Sequence, residues 1–506
     1  MANTSMKPIE KSIFDYFEAF AAECGSRRFL FDEHRSYTVE EAFREAIAIG
    51  NQLYARGIRE GSTVALRCTR SLDTCLIYLA LQMVGSAVLM TDPHQNIAEF
   101  LNSADAHADH LITNEDASAD LSANGNWQII GEGPLSVAYP PRAEGRAFPA
   151  GQNLHTPATI IFTSGSTGKS KGVMLSQYNL VNHIRNFSVS GCYRENDVSA
   201  ELLPIHHVFG LAVILMGLIK RYCIFFPSSV SIPDTAHNIE THQLTRLDGV
   251  PSFALALAEH HQRSGFWADS LRVGVLGGAP STKAQFDFIE AELGIKLLPV
   301  YGQSECIGIT GADETQSDTV RSSTVGSFLP MNEGFILNEN GIPVSVGEEG
   351  EVCVKGPAVM LGYLGDPEGT REAIDEEGRL HTGDLGYLDA DGNLHISGRK
   401  KDIIIRNGNN ISARRIEEAL QTLDGVAHAS VVGIPDSRLG EVPCALVVLK
   451  ADCSCAASLL MEKAASILSK IELPERILIG ASLPLTSSGK PDKQAIKSLF
   501  INAPHT

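Results

Sequence analysis

The stretch Thr163-Ser-Gly-Ser-Thr-Gly-Lys-Ser-Lys-Gly172 gathers the groups that hold a phosphate. Its glycines let the backbone turn tightly, so that successive N–H groups can point one way. The hydroxyls of Thr163, Ser164, Ser166 and Thr167 add donors, and Lys169 and Lys171 add positive charge. The apolar run Ala158-Thr-Ile-Ile-Phe162 reads as a strand feeding the loop, and residues 173–184 have helical spacing. Strand–loop–helix is a setting in which anions bind. A Walker A loop could end on Gly168-Lys169-Ser170, but it needs glycine at 163, where the chain has Thr. The chemistry indicated is phosphate binding without the P-loop NTPase signature.

The elements around this loop belong to a long acidic chain. Its 506 residues suggest about three units at roughly 100–200 residues each. It is 43% hydrophobic and 20% charged, which supports a buried core. Forty-one Lys and Arg stand against sixty Asp and Glu, a net charge of -19. That field argues against nucleic acid or an anionic membrane as partner. The longest apolar run, 211–219, falls short of the ~20 residues a membrane helix needs. The opening residues carry no apolar h-region, so no secretory signal is expected. Ten scattered cysteines, with one C-x-C at Cys453 and Cys455, suit reduced thiols in the cytoplasm better than a metal site.

Residues 10–140 alternate helical and strand patterns; 40–56 is helical in period, and 62–66 and 87–91 are strand-like. A Pro/Gly-rich stretch at 139–157 marks a surface connection. Between about 325 and 391 short apolar pieces alternate with turns such as Asn340-Gly341 and Asp391-Gly392, which predicts a β subdomain. Beyond 400 the pattern becomes α+β, with helices over 413–423 and 456–470 and strands over 426–432 and 444–449. Residues 401–506 carry twelve Lys/Arg and eleven Asp/Glu, so the acidity sits upstream and the tail is a distinct unit.

The loop TSGSTGKSKG resembles the phosphate-loop signature of the adenylate-forming superfamily, which includes acyl- and aryl-CoA synthetases. Further motifs follow in that family's order: Leu203-Pro-Ile-His-His-Val-Phe-Gly210, Gly277-Gly-Ala-Pro280, Val300-Tyr-Gly-Gln-Ser-Glu305, Thr382-Gly-Asp384, Gly398-Arg399 with Lys401-Asp402, and Leu485-Thr-Ser-Ser-Gly-Lys490. The resemblance spans about residues 30–495. It implies an α/β fold: a large N-terminal domain, residues 1–398, of two β/α subdomains plus a β-barrel-like subdomain. A hinge at 399–401 and a small mobile α+β C-terminal lid, 402–506, complete it, with the active site in the crevice between the domains.

The resemblance also implies the reaction. A carboxylate repels nucleophiles, and joining it to AMP makes its oxygen a good leaving group. Holding two anions in line requires positioning and cations. Lys490 is expected to bridge the acid and the α-phosphate, and Thr163 and Glu305 to hold Mg²⁺. Thr163, Ser164, Gly165, Ser166, Thr167, Gly168 and Lys171 are expected around the ATP phosphates, with Ser304 on the α-phosphate. Gly278, Ala279, Pro280, Tyr301 and Gly302 are expected at adenine, Asp384 at ribose, and Arg399 at ribose or phosphate. Lys401 is the expected hinge residue, whose torsion would exchange an adenylating pose for a thiol-accepting one. Gly408 would line the thiol channel, with His206 beside it. Ile405 departs from the family, many of whose members carry Lys there.

His206 and His207 are neighbours that an extended chain would point to opposite sides, so a shared zinc is not expected. His207 is the candidate contact to the acid carboxylate. Amino-acid-activating relatives place Asp where this chain has Val208, and an unpaired ammonium there would cost several kcal/mol to desolvate. An apolar acid, fatty or aromatic, is therefore expected, against Val208, Phe209, Val250, Phe253, Gly302, Ile307 and Ile309. The partners implied are that acid, ATP and CoA. The alternative acceptor is the phosphopantetheine thiol of an acyl carrier protein; the short stretch 326–356 favours CoA. Retention of Lys490, Glu305, Asp384 and Arg399 argues against a non-catalytic adenylate binder. A monomer or homodimer is compatible with the sequence.

Overall fold

The computed structural model describes residues 6–112, 128–130, 145–163, 170–436, 438–450, 453–485 and 491–502. They form two compact units: Met1–Gly334 with Val354–His381, and Phe335–Cys353 with Thr382–Thr506. Among the described residues no helix is long and apolar enough to cross a membrane.

The first unit is built on three sheets. In the largest, the spatial order is Gly362–Tyr363, Lys171–Ser176, Pro157–Thr163, Ala87–Thr91, Thr63–Arg67, His110–Ile112 and Gln128–Ile130. Ala87–Thr91 is buried along its whole length, as a strand inside a parallel sheet must be. The helix Leu72–Val84 makes the crossover that parallel pairing requires and ends at Gly85, whose φ of 87° suits glycine at a C-cap. A second sheet runs Arg246–Gly249, Val273–Leu276, Lys296–Gln303, Cys306–Gly311, Ser327–Phe328. Its first three strands are parallel and joined by the helices Pro251–Ser264 and Lys283–Leu293; Cys306–Gly311 then returns antiparallel. A four-stranded sheet, Ser36–Thr38, Arg28–Phe31, Cys223–Phe225, Val198–Ala200, completes the unit.

One expected element is corrected. Residues 173–176, the first part of the stretch expected to be helical, instead belong to the strand Lys171–Ser176, and the helix is Gln177–Phe187. The strand wins because Val173 and Leu175 are buried against the sheet and pair antiparallel with Pro157–Thr163. The helix starts where Ser176 and Asn179 form a capping box.

The second unit holds most of the predicted β subdomain, a sheet ordered Glu333–Leu337, Gly350–Lys355, Leu380–Leu388, Leu394–Arg399. Its tail is α+β. The helix Ala413–Gln421 buries Ala413, Ile416 and Leu420, and the sheet is Asn409–Ser412, Ile403–Arg406, Gly440–Leu449, Val426–Asp436, with Arg476–Gly480 paired to Gly440–Leu449. The helix expected over 456–470 spans Ala457–Ala464. It stops because Ser466 bonds the Lys463 carbonyl and Ser469 engages Glu472, local bonds that compete with helix continuation.

Candidate active site

In the first unit, Thr163 closes its strand and is the register partner of Lys171 on the antiparallel strand. Gly172 beside it is tightly enclosed: a Cβ there would lie 3.1 Å from Leu364 Cβ and 3.2 Å from Ile160 and Phe162. Lys171 reaches Asp366 at 3.7 Å, and its ammonium sits 4.5 Å from the centre of the Tyr363 ring. Tyr301, Gly302, Ser304 and Glu305 lie on one hairpin. Gln303 pairs with Cys306, so Ser304 and Glu305 are its turn. A Cβ on Gly302 would fall 1.9 Å from the Ile307 carbonyl oxygen, so only glycine lets this hairpin close. Glu305 is partly buried, and its Oε1 accepts a 2.9 Å hydrogen bond from the Tyr363 hydroxyl. Burial, then the charge of Glu305, pushes the Tyr363 phenol far above its ordinary value, so it stays a donor. The oxygen donors of Thr163 and Glu305 are of the kind Mg²⁺ takes.

Several acid-side candidates lie at the start of the helix Val208–Lys220. His207 is its N-cap, and the His207 N–H donates to the Pro204 carbonyl at 3.0 Å. This turn brings the rings of His206 and His207 within 4.4 Å, which corrects the expectation of an extended chain with opposed side chains. His206 Nε2 lies 3.8 Å from Asp92, yet burial and the neighbouring His207, Arg70 and His94 push its pKa down to about 4. It is therefore neutral near pH 7. The Gly277 position brings Phe209 and Val300 together: a Cβ there would meet Val300 at 2.7 Å and Phe209 at 3.5 Å. A Cβ at Gly278, whose φ is 80°, would lie 3.6 Å from Val250, and Ala279 and Pro280 are exposed beside it. Val208, Phe209, Val300, Tyr301 and Ile307 pack on one core cluster, whereas Phe253 packs on a second. Ile309 is fully buried inside the first.

In the second unit, Thr382-Gly-Asp384 lies within the strand Leu380–Leu388. Burial alternates along it, and Leu380, Thr382, Asp384 and Gly386 share the inward face. A buried carboxylate needs partners. Arg399, the register partner of Asp384, donates to it from Nε at 2.8 Å. Lys400–Asp402 is a short 3₁₀ turn with no buried residue, and Lys401 is exposed. Asn407 (φ 50°) and Gly408 (φ 75°) connect the paired residues Arg406 and Asn409, the left-handed pair of a type I′ hairpin. Turn geometry alone therefore calls for glycine at 408. Arg406 is held within this unit by the carbonyls of Ile471 and Leu473 and by Glu475.

Ser164, Gly165, Ser166, Thr167, Gly168 and Lys490 lie outside the described residues. The residue that sequence reasoning missed is Tyr363. It stands 58 positions from Glu305, so no local spacing links them. The nearest signal is an aromatic residue next to glycine in Met360-Leu-Gly-Tyr-Leu-Gly365.

Known proteins match this arrangement along the chain. The family described as AMP-binding enzyme matches residues 17–364, and the AMP-binding enzyme C-terminal domain matches 415–490. A 3-[(3aS,4S,7aS)-7a-methyl-1,5-dioxo-octahydro-1H-inden-4-yl]propanoyl:CoA ligase of Rhodococcus jostii (strain RHA1) is 33% identical over 358 residues, 70% of this chain and 68% of that protein. A 2-succinylbenzoate–CoA ligase of Bacillus cereus (strain Q1) is 28% identical over 470 residues, 92% and 94% of the two chains. The crystal structure of ATP-bound MatB from Rhodopseudomonas palustris shares the fold, with a TM-score of 0.89, 24% identity, and 97% and 99% of the two chains covered. The chain belongs to the AMP-binding enzyme family and, within it, to the acyl- and aryl-CoA synthetase type, the AMP-forming acid–thiol ligases that make an acyl-adenylate and then a thioester.

Proposed function

We propose that this ligase activates an apolar carboxylic acid, fatty or aromatic, and passes the acyl group from AMP to CoA. The observation that carries the choice of acid is the apolar opening of the helix Val208–Lys220. Val208 stands where an ammonium-binding acid would be needed, with Phe209 against Gly277 and Val250 against Gly278. Phe253 and Ile307 would extend the wall, with Gly302 keeping it open.

In the adenylation step, Thr163 and Glu305 would hold Mg²⁺, which would supply charge neutralisation between the phosphates. The loop from Thr163 to Gly168, with Lys171, would cradle those phosphates, and Ser304 would hydrogen-bond the α-phosphate. Gly278, Ala279, Pro280 and Tyr301 would border adenine. Asp384, oriented by Arg399, would accept from the ribose hydroxyls. Lys490 would neutralise the charge shared by carboxylate and α-phosphate, a task suited to a flexible point charge. His207 would meet the acid carboxylate. In the thioester step, torsion at Lys401 would retire Lys490, and His206 and Gly408 would border the thiol arm. That all ten cysteines are unpaired supports a reducing, cytoplasmic setting.

The test is pyrophosphate release with MgATP over fatty acids, benzoates, cinnamates and amino acids, each with and without CoA. Release with an apolar acid, with a CoA thioester found by mass, is expected. Release with amino acids alone would overturn the assignment of the pocket. Adenylate that never reaches CoA would move the acceptor to a carrier protein. Lys490→Ala is expected to lose pyrophosphate release yet convert supplied acyl-AMP and CoA to thioester; normal release would remove Lys490 from the site.

A further inference from the structure

Tyr363 sits where two parts of the phosphate machinery are joined by backbone. The N–H of Met360 donates to the Glu305 carbonyl at 2.8 Å, and Val359 bridges to Cys306 next to it. Three residues on, Gly362 and Tyr363 pair with Met174 and Val173, on the strand that carries Lys171. Leu361 and Leu364 donate to the carbonyls of Met174 and Gly172 at 2.9 and 2.7 Å. Gly362 holds φ at 138°, and a Cβ there would lie 2.7 Å from Thr370. The N–H of Tyr363 itself donates to Thr370 Oγ1 at 2.8 Å. The phenol is therefore fixed from both sides. It donates to Glu305 Oε1 at 2.9 Å, and its ring lies under Lys171, whose ammonium is also drawn to Asp366.

A glutamate on a hairpin turn swings freely unless something holds it. A hydrogen bond to one carboxylate oxygen fixes the plane of the group and leaves the other oxygen open, and Mg²⁺ demands near-ideal geometry from few protein ligands. We propose that Tyr363 is a positioning residue for adenylation: its hydroxyl orients Glu305 toward the nucleotide's magnesium, and its ring sets the direction of Lys171. This rests on the magnesium role given to Glu305 above.

The experiment is Tyr363→Phe in the full-length enzyme, which removes the hydroxyl and keeps the ring under Lys171. Pyrophosphate release is followed against magnesium concentration, and thioester formation from supplied acyl-AMP and CoA is followed separately. ATP binding is measured by calorimetry with and without magnesium. We expect release to fall about tenfold at fixed magnesium. The magnesium needed for half-maximal rate should rise, the KM of the acid should hold, and the thioester step should be unchanged. ATP affinity should weaken only when magnesium is present. A wild-type magnesium profile would overturn the proposal. So would an equal fall in both half-reactions, which would make Tyr363 a packing residue. Glu305→Gln separates the two levels: if it leaves adenylation intact, the magnesium role of Glu305 fails and takes this proposal with it. If Glu305→Gln abolishes adenylation while Tyr363→Phe behaves as wild type, the Tyr363 inference alone fails.

Discussion

At the scale of single residues, the first unit buries polar groups that no function has absorbed. His183 lies fully buried in the helix Gln177–Phe187, stacked on Phe187, with neither ring nitrogen hydrogen-bonded. Burial pushes its pKa down to about 3. The unfolded chain takes up this proton near pH 6.5 and the folded chain only near 3, so folding stability falls as pH drops through that window. Glu201 works in the opposite sense, because burial raises its pKa well above the carboxylate range. The contribution of His183 must therefore be read as a difference. His183→Leu is expected to be at least as stable as wild type at pH 7. Its advantage should grow on acidification, by an amount on the order of 4 kcal/mol when fully developed. Urea unfolding at pH 7 and pH 4.5 checks this, and an advantage that shrinks with acid would show that His183 has an unrecognised partner. Nothing in the local sequence marks His183 as buried and unpaired, because its neighbours across the packing, such as Gly308, are remote in the chain.

At the scale of elements, what the sequence disclosed depended on whether the signal was local. The buried strands Ala87–Thr91 and Pro157–Thr163 were legible because continuous apolar runs bounded by turns have few alternatives. The Lys171–Ser176 strand was not, because Val173, Met174 and Leu175 fit a helix face as well as a strand, and the partner strand decides. The Thr-Gly-Asp segment holds glycine and aspartate, which favour turns, yet the alternation from Leu380 through Asp384 outweighs them. Gly408 was singled out for the thiol channel when Asn407-Gly408 is already a strong hairpin signal. The two explanations separate in one variant. Gly408→Ala places a side chain at φ 75°, with open space around it, and should cost the C-terminal unit roughly 1 kcal/mol. If Gly408 also borders the thiol arm, thioester formation should fall well beyond that loss while pyrophosphate release is retained. A fall in neither half-reaction would leave the glycine as a turn residue.

At the scale of the whole molecule, the distinction that matters is between where the chain is compact and where it can turn. The compact second unit takes in residues 335–353 and 382–399 along with the tail. Lys401 therefore lies inside a compact unit, between the strands Leu394–Arg399 and Ile403–Arg406. The link is short. Pairing of Asp384 with Arg399 ends on one side, that of Ile403 with Ser412 begins on the other, and the turn between buries no residue. A half-buried bond crosses it, from Ser412 Oγ to the Ser397 carbonyl at 2.8 Å, and Lys400 is tied to Glu351 on the upstream side at 3.3 Å. Bonds of this kind contribute only about 1 kcal/mol each in contact with water, so they bias a torsion without locking it. Proline fixes φ near −65° and removes the N–H, so Lys401→Pro should confine the link to one arrangement. The expected outcome is that one half-reaction survives and the other is lost, with circular dichroism and thermal unfolding like wild type. If both half-reactions fall together in a folded variant, Lys401 is not the pivot. If both survive, the turn that exchanges adenylation for thioester formation lies elsewhere in the chain, and the sequence match at Gly398-Arg399-Lys400-Lys401 marks ribose binding alone.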